Sequence, residues 1–327
     1  MSENLLKNPS FEGDTHHQTF AELNVPDGWT AFWYEGPATH DNANKVGYCR
    51  PEMRVIPDEP PFKSPNRVHS EGERPSPKNA LMYFAFGKVM DAGVYQSVSV
   101  QPGAQLRATA WAHGWSNDGF NDQNLHRDDP RWSEGQEVGS NAFWAEAGTI
   151  GDDAARNMRF WIGIDPTGGA DARAGTVVWG KAVHIYNTHA QLPVLEVIAQ
   201  ASQVTLFLRC DALWPYKHND AYWDDAELTI VSRVPAQLSL QAAPVVGAAR
   251  VGSAIMIEGG SSVPLAEFKL DVSGAAAAPQ VFELEGGTAG EGLAWRWLLV
   301  PDQAGAYTIK LSAPGAEPVT ARLQVAP

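Results

Sequence analysis

At 327 residues the chain is long enough for two domains with separate cores, and its 44% hydrophobic content excludes extended disorder. The 38 acidic residues outnumber the 24 basic ones, giving a formal net charge of −14 with no Lys/Arg cluster, which excludes nucleic acid and anionic membrane surfaces as partners. No stretch reaches the roughly 18–20 apolar residues of a spanning helix, so no membrane insertion is expected.

Many short runs rich in Val, Ile, Thr and aromatics are broken by 30 Gly and 23 Pro, the punctuation of an all-β chain. In chain order, strands are predicted over 81–86, 93–100, 105–113, 157–165, 176–181, 191–201, 203–211 and 221–231. Two long polar stretches interrupt them, a Pro- and charge-rich one over 35–79 and an Asn/Asp/Gly-rich one over 116–141. Loops of such length in a compact β-sandwich tend to carry function. The fragment Ile164-Asp-Pro-Thr-Gly-Gly169 reads as a tight turn that Asp165 fixes.

Composition changes near residues 232–238. Ten of the twelve Trp and all nine His precede this point, and a segment rich in Ala, Gly and Val follows. The predicted domains are therefore residues 1–232 and 233–327. The second holds alternating runs at 237–241, 254–258, 267–272, 280–285, 293–300, 306–312 and 321–325. Seven short strands with Gly/Pro turns fit an immunoglobulin-like β-sandwich. Within it, Pro301-Asp-Gln-Ala-Gly-Ala-Tyr307 resembles the corner in which a Tyr hydroxyl ties a loop back to the sheet. A spacer or stabilising role suits this segment.

Cys49 and Cys210 are the two cysteines, and a disulfide or a pair of thiols both remain open. The first residues, Met-Ser-Glu-Asn-Leu-Leu-Lys, contain no apolar core segment and are not a secretory signal. A cytoplasmic protein and an extracellular one whose signal has been removed are both compatible with that.

Three pieces of the first domain stand in a telling order. Asn4-Leu-Leu-Lys-Asn-Pro-Ser-Phe-Glu12-Gly opens the chain, followed by Gly28-Trp29. Gly93-Val-Tyr-Gln96-Ser-Val-Ser-Val-Gln-Pro-Gly103 then leads into Leu106-Arg-Ala-Thr-Ala-Trp111, and Ala221-Tyr-Trp-Asp-Asp225-Ala-Glu-Leu closes the domain. Together they resemble the galactose-binding-like jelly roll shared by several families of carbohydrate-binding modules of secreted glycan-degrading enzymes. The resemblance implies an extracellular or cell-surface protein, a polysaccharide or glycan partner, and a structural calcium. The metal maps onto Glu12 with Asp224 or Asp225, where hard carboxylate and carbonyl oxygens suit Ca2+. At about 230 residues this domain is longer than most relatives, and the excess lies largely in the two polar stretches.

A sugar offers hydroxyls at its edge and C–H bonds on its faces, so its site combines aromatic platforms with hydrogen-bonding side chains. Along 106–113, Leu106, Ala108, Ala110 and Ala112 alternate with Arg107, Thr109, Trp111 and His113. The small apolar set suits the interior, which leaves Arg107, Trp111 and His113, with Trp115 beyond them, as binding candidates. Trp214, Lys217, His218 and Asn219 crowd the connection before the closing strand. Trp33, beside Tyr34, forms a further group with Arg54 in the first long loop, and Trp179 alternates with a core valine.

Two other readings stay open. A polysaccharide hydrolase or lyase needs a carboxylate pair that nothing in the sequence singles out, and no Gly-x-Ser-x-Gly elbow occurs. A structural or adhesive cell-surface or filament subunit would instead self-associate through sheet edges or loops. The non-catalytic glycan binder is the reading that the Trp content favours.

Overall fold

The structure, a computed structural model, describes residues 3–38, 46–57, 79–117, 157–185, 189–215, 218–233, 236–263, 265, 268–274, 280–285 and 293–327. Every regular element among them is a strand. β1 (Thr15–His17) and β2 (Asn24–Pro26) pair as a small ribbon. Next come β3 (Thr30–Trp33), β4 (Glu52–Pro57), β5 (Asn79–Ala85), β6 (Asp91–Ser99), β7 (Ala104–Asn117) and β8 (Met158–Asp165). They are followed by β9 (Val178–Trp179), β10 (Val183–His184), β11 (His189–Gln191), β12 (Leu195–Ile198), β13 (Gln203–Ala212) and β14 (His218–Arg233).

These strands build two six-stranded antiparallel sheets. Sheet I runs β10-β8-β13-β6-β3, with β9 also on β8; sheet II runs β11-β7-β14-β5-β4, with β12 also on β7. The inward set follows the period of two that a strand imposes. Leu106, Ala108, Ala110 and Ala112 of sheet II share one core with Val204, Leu206, Leu208 and Cys210 of sheet I. At its centre Trp223 donates its indole N–H to the Tyr83 hydroxyl at 2.8 Å and meets Phe160 edge-on at 5.4 Å. Cys210 is buried in this core and Cys49 half-buried, and both are free thiols.

Three departures from the predicted strands have local causes. The polar stretch 35–79 contains β4, whose residues pair with β5 from Glu52↔Phe84 to Pro57↔Asn79, so Arg54 stands on a strand and not in a loop. The run 191–201 divides into β11 and β12 around Pro193, which has no N–H to give the ladder. Of 176–181 only Val178 and Trp179 pair. Asp165 fixes its turn as predicted: it accepts hydrogen bonds from the Thr167 N–H at 2.8 Å and from the Thr167 and Thr176 hydroxyls at 2.6 and 2.7 Å.

The remaining strands are β15 (Leu238–Pro244), β16 (Ile255–Ser261), β17 (Lys269–Gly274), β18 (Gln280–Glu285), β19 (Leu293–Val300), β20 (Gly305–Ser312) and β21 (Val319–Val325). They form a four-stranded sheet ordered β15-β16-β19-β18 and a three-stranded sheet ordered β17-β20-β21. A separate core of Ile255, Ile257, Trp295, Trp297, Ile309 and Leu311 lies with them. The buried Tyr307 donates its hydroxyl to the Gln303 carbonyl at 3.0 Å.

Candidate functional site

The outer face of sheet II gathers several of the predicted residues. Register places His189, His113, Tyr222, Met82 and Arg54 in one row across β11, β7, β14, β5 and β4. The next row holds Gln191, Trp111 and Asp224, and a third pairs Glu196 with Arg107. Strands lie about 4.8 Å apart, so the row from His113 to Arg54 spans roughly 14 Å. Trp111 is half-exposed. His113 is 1% exposed, with the rings of His189 at 5.1 Å and Tyr222 at 5.4 Å, so it backs the surface from beneath. The Arg54 guanidinium lies 4.9 Å from the centroid of Phe84, and Arg107 pairs with Glu196 at 2.8 Å. Trp115 pairs with Asp220 by its backbone, and its side chain lies outside the described atoms.

The other predicted residues go elsewhere, for reasons visible in their packing. Asn219 is fully buried, and its amide bonds to four groups. Its oxygen accepts from Ser116 and Asn157, and its nitrogen donates to the Lys88 and Trp214 carbonyls. Asn219 thus fastens the β13–β14 connection from within and is not a rim ligand group. Trp214, half-exposed, gives its backbone N–H to Asn157 at 2.7 Å. Lys217 and the His218 side chain lie outside the described residues. Trp33 packs at the margin of the main core, with its indole N–H on Glu35 at 3.2 Å. Trp179 belongs to the opposite sheet, where its ring covers Gly163 so closely that a Cβ there would stand 2.6 Å from it. The predicted set therefore divides between two faces and one end of the sandwich.

Of the metal candidates, Asp224 is only 1% exposed, lies in the Trp111 row and accepts the Asp225 N–H at 2.7 Å. Asp225 has a φ of 39°, which Asp tolerates better than most residues. Its carboxyl is pushed up first by burial and second by the negative charge of Glu12. Two carboxylates thus oppose one another across the junction of the opening and closing segments. Among the described residues no group of three or more His, Cys, Asp or Glu gathers. A calcium held there would take these two carboxylates and complete its six to eight ligands with carbonyls and water.

Apart from Trp179, sequence reasoning missed the outer face of sheet I. Arg159 and Trp161 of β8 lie beside Asp211 and Arg209 of β13, which lie beside Asp91 and Gly93 of β6. Arg209 donates Nε and Nη2 to Asp91 at 2.7 and 2.6 Å; Arg159 donates Nε to Asp211 at 2.8 Å and Nη2 to its other oxygen. The same face carries an aromatic cluster in which Phe207 meets Phe32, Tyr95 and Trp179 at 5.6–5.9 Å. The signal was present as Arg159-Phe-Trp161 and Arg209-Cys-Asp211, polar residues alternating with core ones in two predicted strands.

No family model matches the sequence, and no curated protein matches it. Among solved structures, the chain is similar to TmCBM61 in complex with β-1,4-galactotriose, at 12% identity and a TM-score of 0.36, over 70% of this chain and 99% of that one. It is also similar to a β-1,2-glucanase from Parabacteroides distasonis, at 12% identity and a TM-score of 0.27, over 98% of this chain and 39% of that one. Superpositions this loose leave the site to be read from its own residues.

Proposed function

We propose that the chain is a non-catalytic, extracellular polysaccharide-binding protein that holds a neutral or weakly charged glycan on the outer face of sheet II. The observation that carries the reading is the half-exposed Trp111 in a face that also presents Arg107, Gln191 and, about 14 Å across the strands from His113, Arg54. The Trp ring takes the C–H face of a sugar, and the polar side chains take its hydroxyls. Affinity is modest, because a solvated sugar exchanges water hydrogen bonds for protein ones at small net gain. A screen against neutral oligosaccharides of galactan, xylan and β-glucan tests the proposal. Trp111→Ala is expected to weaken the best binder about tenfold or more without unfolding the domain, as loss of a burying Trp face implies. Failure of every glycan to bind would refute it.

The reading includes a jelly roll of the carbohydrate-binding type over 1–232 and an immunoglobulin-like module over 233–327. The second is supported by strand order: counted A to G, β15–β21 pair as A-B-E-D and C-F-G, with the Tyr307 corner beside β20.

It also includes a structural calcium at Glu12 and Asp225, which has a sign that can be measured. Without metal, the raised carboxyl of Asp225 contributes stability below the ordinary carboxylate pKa, and that stability is lost as pH rises through the raised value. Asp225→Asn should therefore raise the melting temperature of chelated protein at neutral pH. Asn tolerates the positive φ, so the backbone is not the cause of any change. With calcium present the same substitution removes a ligand and should lower the melting temperature. Equal shifts with and without calcium would remove the metal from the account.

A further inference from the structure

The two arginine–aspartate pairs on sheet I face the same way as an indole. Arg209 stands directly across from Trp161, and Arg159 two residues along the same strand, with guanidinium carbons 5.1 and 5.2 Å from the Trp161 ring. Behind the guanidinium groups, the Asp91 and Asp211 side chains are 3% and 2% exposed, while those of Arg209 and Arg159 are 22% and 29% exposed. The carboxylates are hidden and the donors face outward. Each guanidinium has five N–H groups and uses two on its aspartate.

A third guanidinium stands nearby. Arg173 is exposed and lies 3.5 Å over the ring of Tyr34, and it forms no ion pair among the described residues. Its charge acts on both Tyr34 and Asp91. Tyr34 is 9% exposed, and its hydroxyl has no hydrogen-bond partner among the described residues. This face therefore offers donors and aromatic rings with its two aspartates hidden; the exposed Asp171, whose charge also reaches Tyr34, accepts the Arg173 backbone N–H at 2.9 Å and leaves three guanidinium groups in excess of it.

Such a surface matches a ligand with an apolar face and an anionic acceptor at its edge. Buried ion pairs cost several kcal/mol of desolvation per ion, so two of them are a poor device for stability alone. As a binding device they hold guanidinium planes in place before the ligand arrives, which lowers the ordering cost of binding. Arginine recognises a carboxylate through paired hydrogen bonds, and an indole takes the C–H face of a pyranose.

We propose that this face is a second saccharide site, specific for a uronic acid residue whose ring stacks on Trp161 and whose carboxylate is taken by the arginines. It goes beyond the function proposed above, which concerns the opposite sheet, and the two fail separately. The test is calorimetric titration of the full chain with an oligogalacturonate and with its methyl ester, which keeps the shape and removes the charge. The acid should bind at least tenfold more tightly than the ester. Trp161→Ala should reduce acid binding tenfold or more, and Arg173→Gln several-fold. Both positions are partly or wholly exposed and outside the two ion pairs, so these variants should fold. Repeated in a Trp111→Ala background, which removes the other proposed platform, the preference for acid over ester should persist and should still depend on Trp161. No binding of the acid, equal binding of acid and ester, or acid binding indifferent to Trp161→Ala would overturn the assignment, whatever happens with neutral glycans at Trp111.

Discussion

Replacing Arg209 by Met is expected to lower the melting temperature by roughly 6–20 °C, the equivalent of about 3–5 kcal/mol for a cooperative unit of 150–250 residues. The cause is what remains. Asp91, with a side chain 3% exposed, would lose both hydrogen bonds from Arg209 and be left either as an unpaired buried charge or as an unpaired carboxyl that must take up a proton. Burial opposes the charge of Arg209, and the hydrogen bonds and field of Asp91 outweigh it, so the guanidinium pKa is raised. Burial also pushes the Asp91 carboxyl up. The two-bond geometry of Arg209 on Asp91 is that of an ionised pair. A double variant, Arg209→Met with Asp91→Leu, should recover most of the loss, because it removes the stranded carboxyl as well as the partner. Thermal unfolding followed by near-ultraviolet circular dichroism reads both. A single variant as stable as the parent would show that the aspartate finds solvent in the folded protein.

Trp223→Ala should be at least as damaging. The side chain is fully buried between the sheets, and emptying a Trp site costs about 3–5 kcal/mol. It also takes from the fully buried Tyr83 hydroxyl the indole N–H that it accepts at 2.8 Å, leaving it the Cys210 backbone alone; a buried hydrogen bond lost in this way adds about 1 kcal/mol. Burial already drives the Tyr83 pKa well above its ordinary value, so ionisation offers that hydroxyl no relief near neutral pH. Trp223→Phe with Tyr83→Phe should be milder than Trp223→Ala, since it leaves less void and no unpaired donor. Urea unfolding measures the series. A Trp223→Ala protein with an unchanged midpoint would mean that this residue does not hold the two sheets together.

Much of the architecture could be read from alternation. Leu106, Ala108, Ala110 and Ala112 point inward because a strand has a period of two, and small residues there leave room for Trp223 and Phe160. The long strands after residue 79 were legible for that reason, though the runs 176–181 and 191–201 pair only in short pieces. The short early ones were not: β1, β2 and β3 span three or four residues each, too few for a pattern. Arg54 looked like a loop residue because the Pro-rich stretch around it hid β4.

The site was less legible, because which sheet a strand joins is a long-range fact. Trp111 and Trp179 look alike in sequence, both alternating with core residues, yet register puts them on opposite sheets. Asn219 had the composition of a sugar-binding residue and is used up by the nearby Trp214 carbonyl and by Ser116, Asn157 and the Lys88 carbonyl, all distant in sequence. Arg159 and Arg209 each carry a nearby acidic residue, but only the pairing of β8, β13 and β6 shows which aspartate serves which arginine.

The central claim is that a glycan lies on Trp111. Affinity electrophoresis through gels containing galactan, xylan or β-glucan, comparing the parent chain with Trp111→Ala at equal thermal stability, tests it most directly. The account predicts that at least one polysaccharide retards the parent and that the retardation is lost in the variant. Unretarded migration of the parent in every gel, or equal retardation of the two proteins, would contradict it.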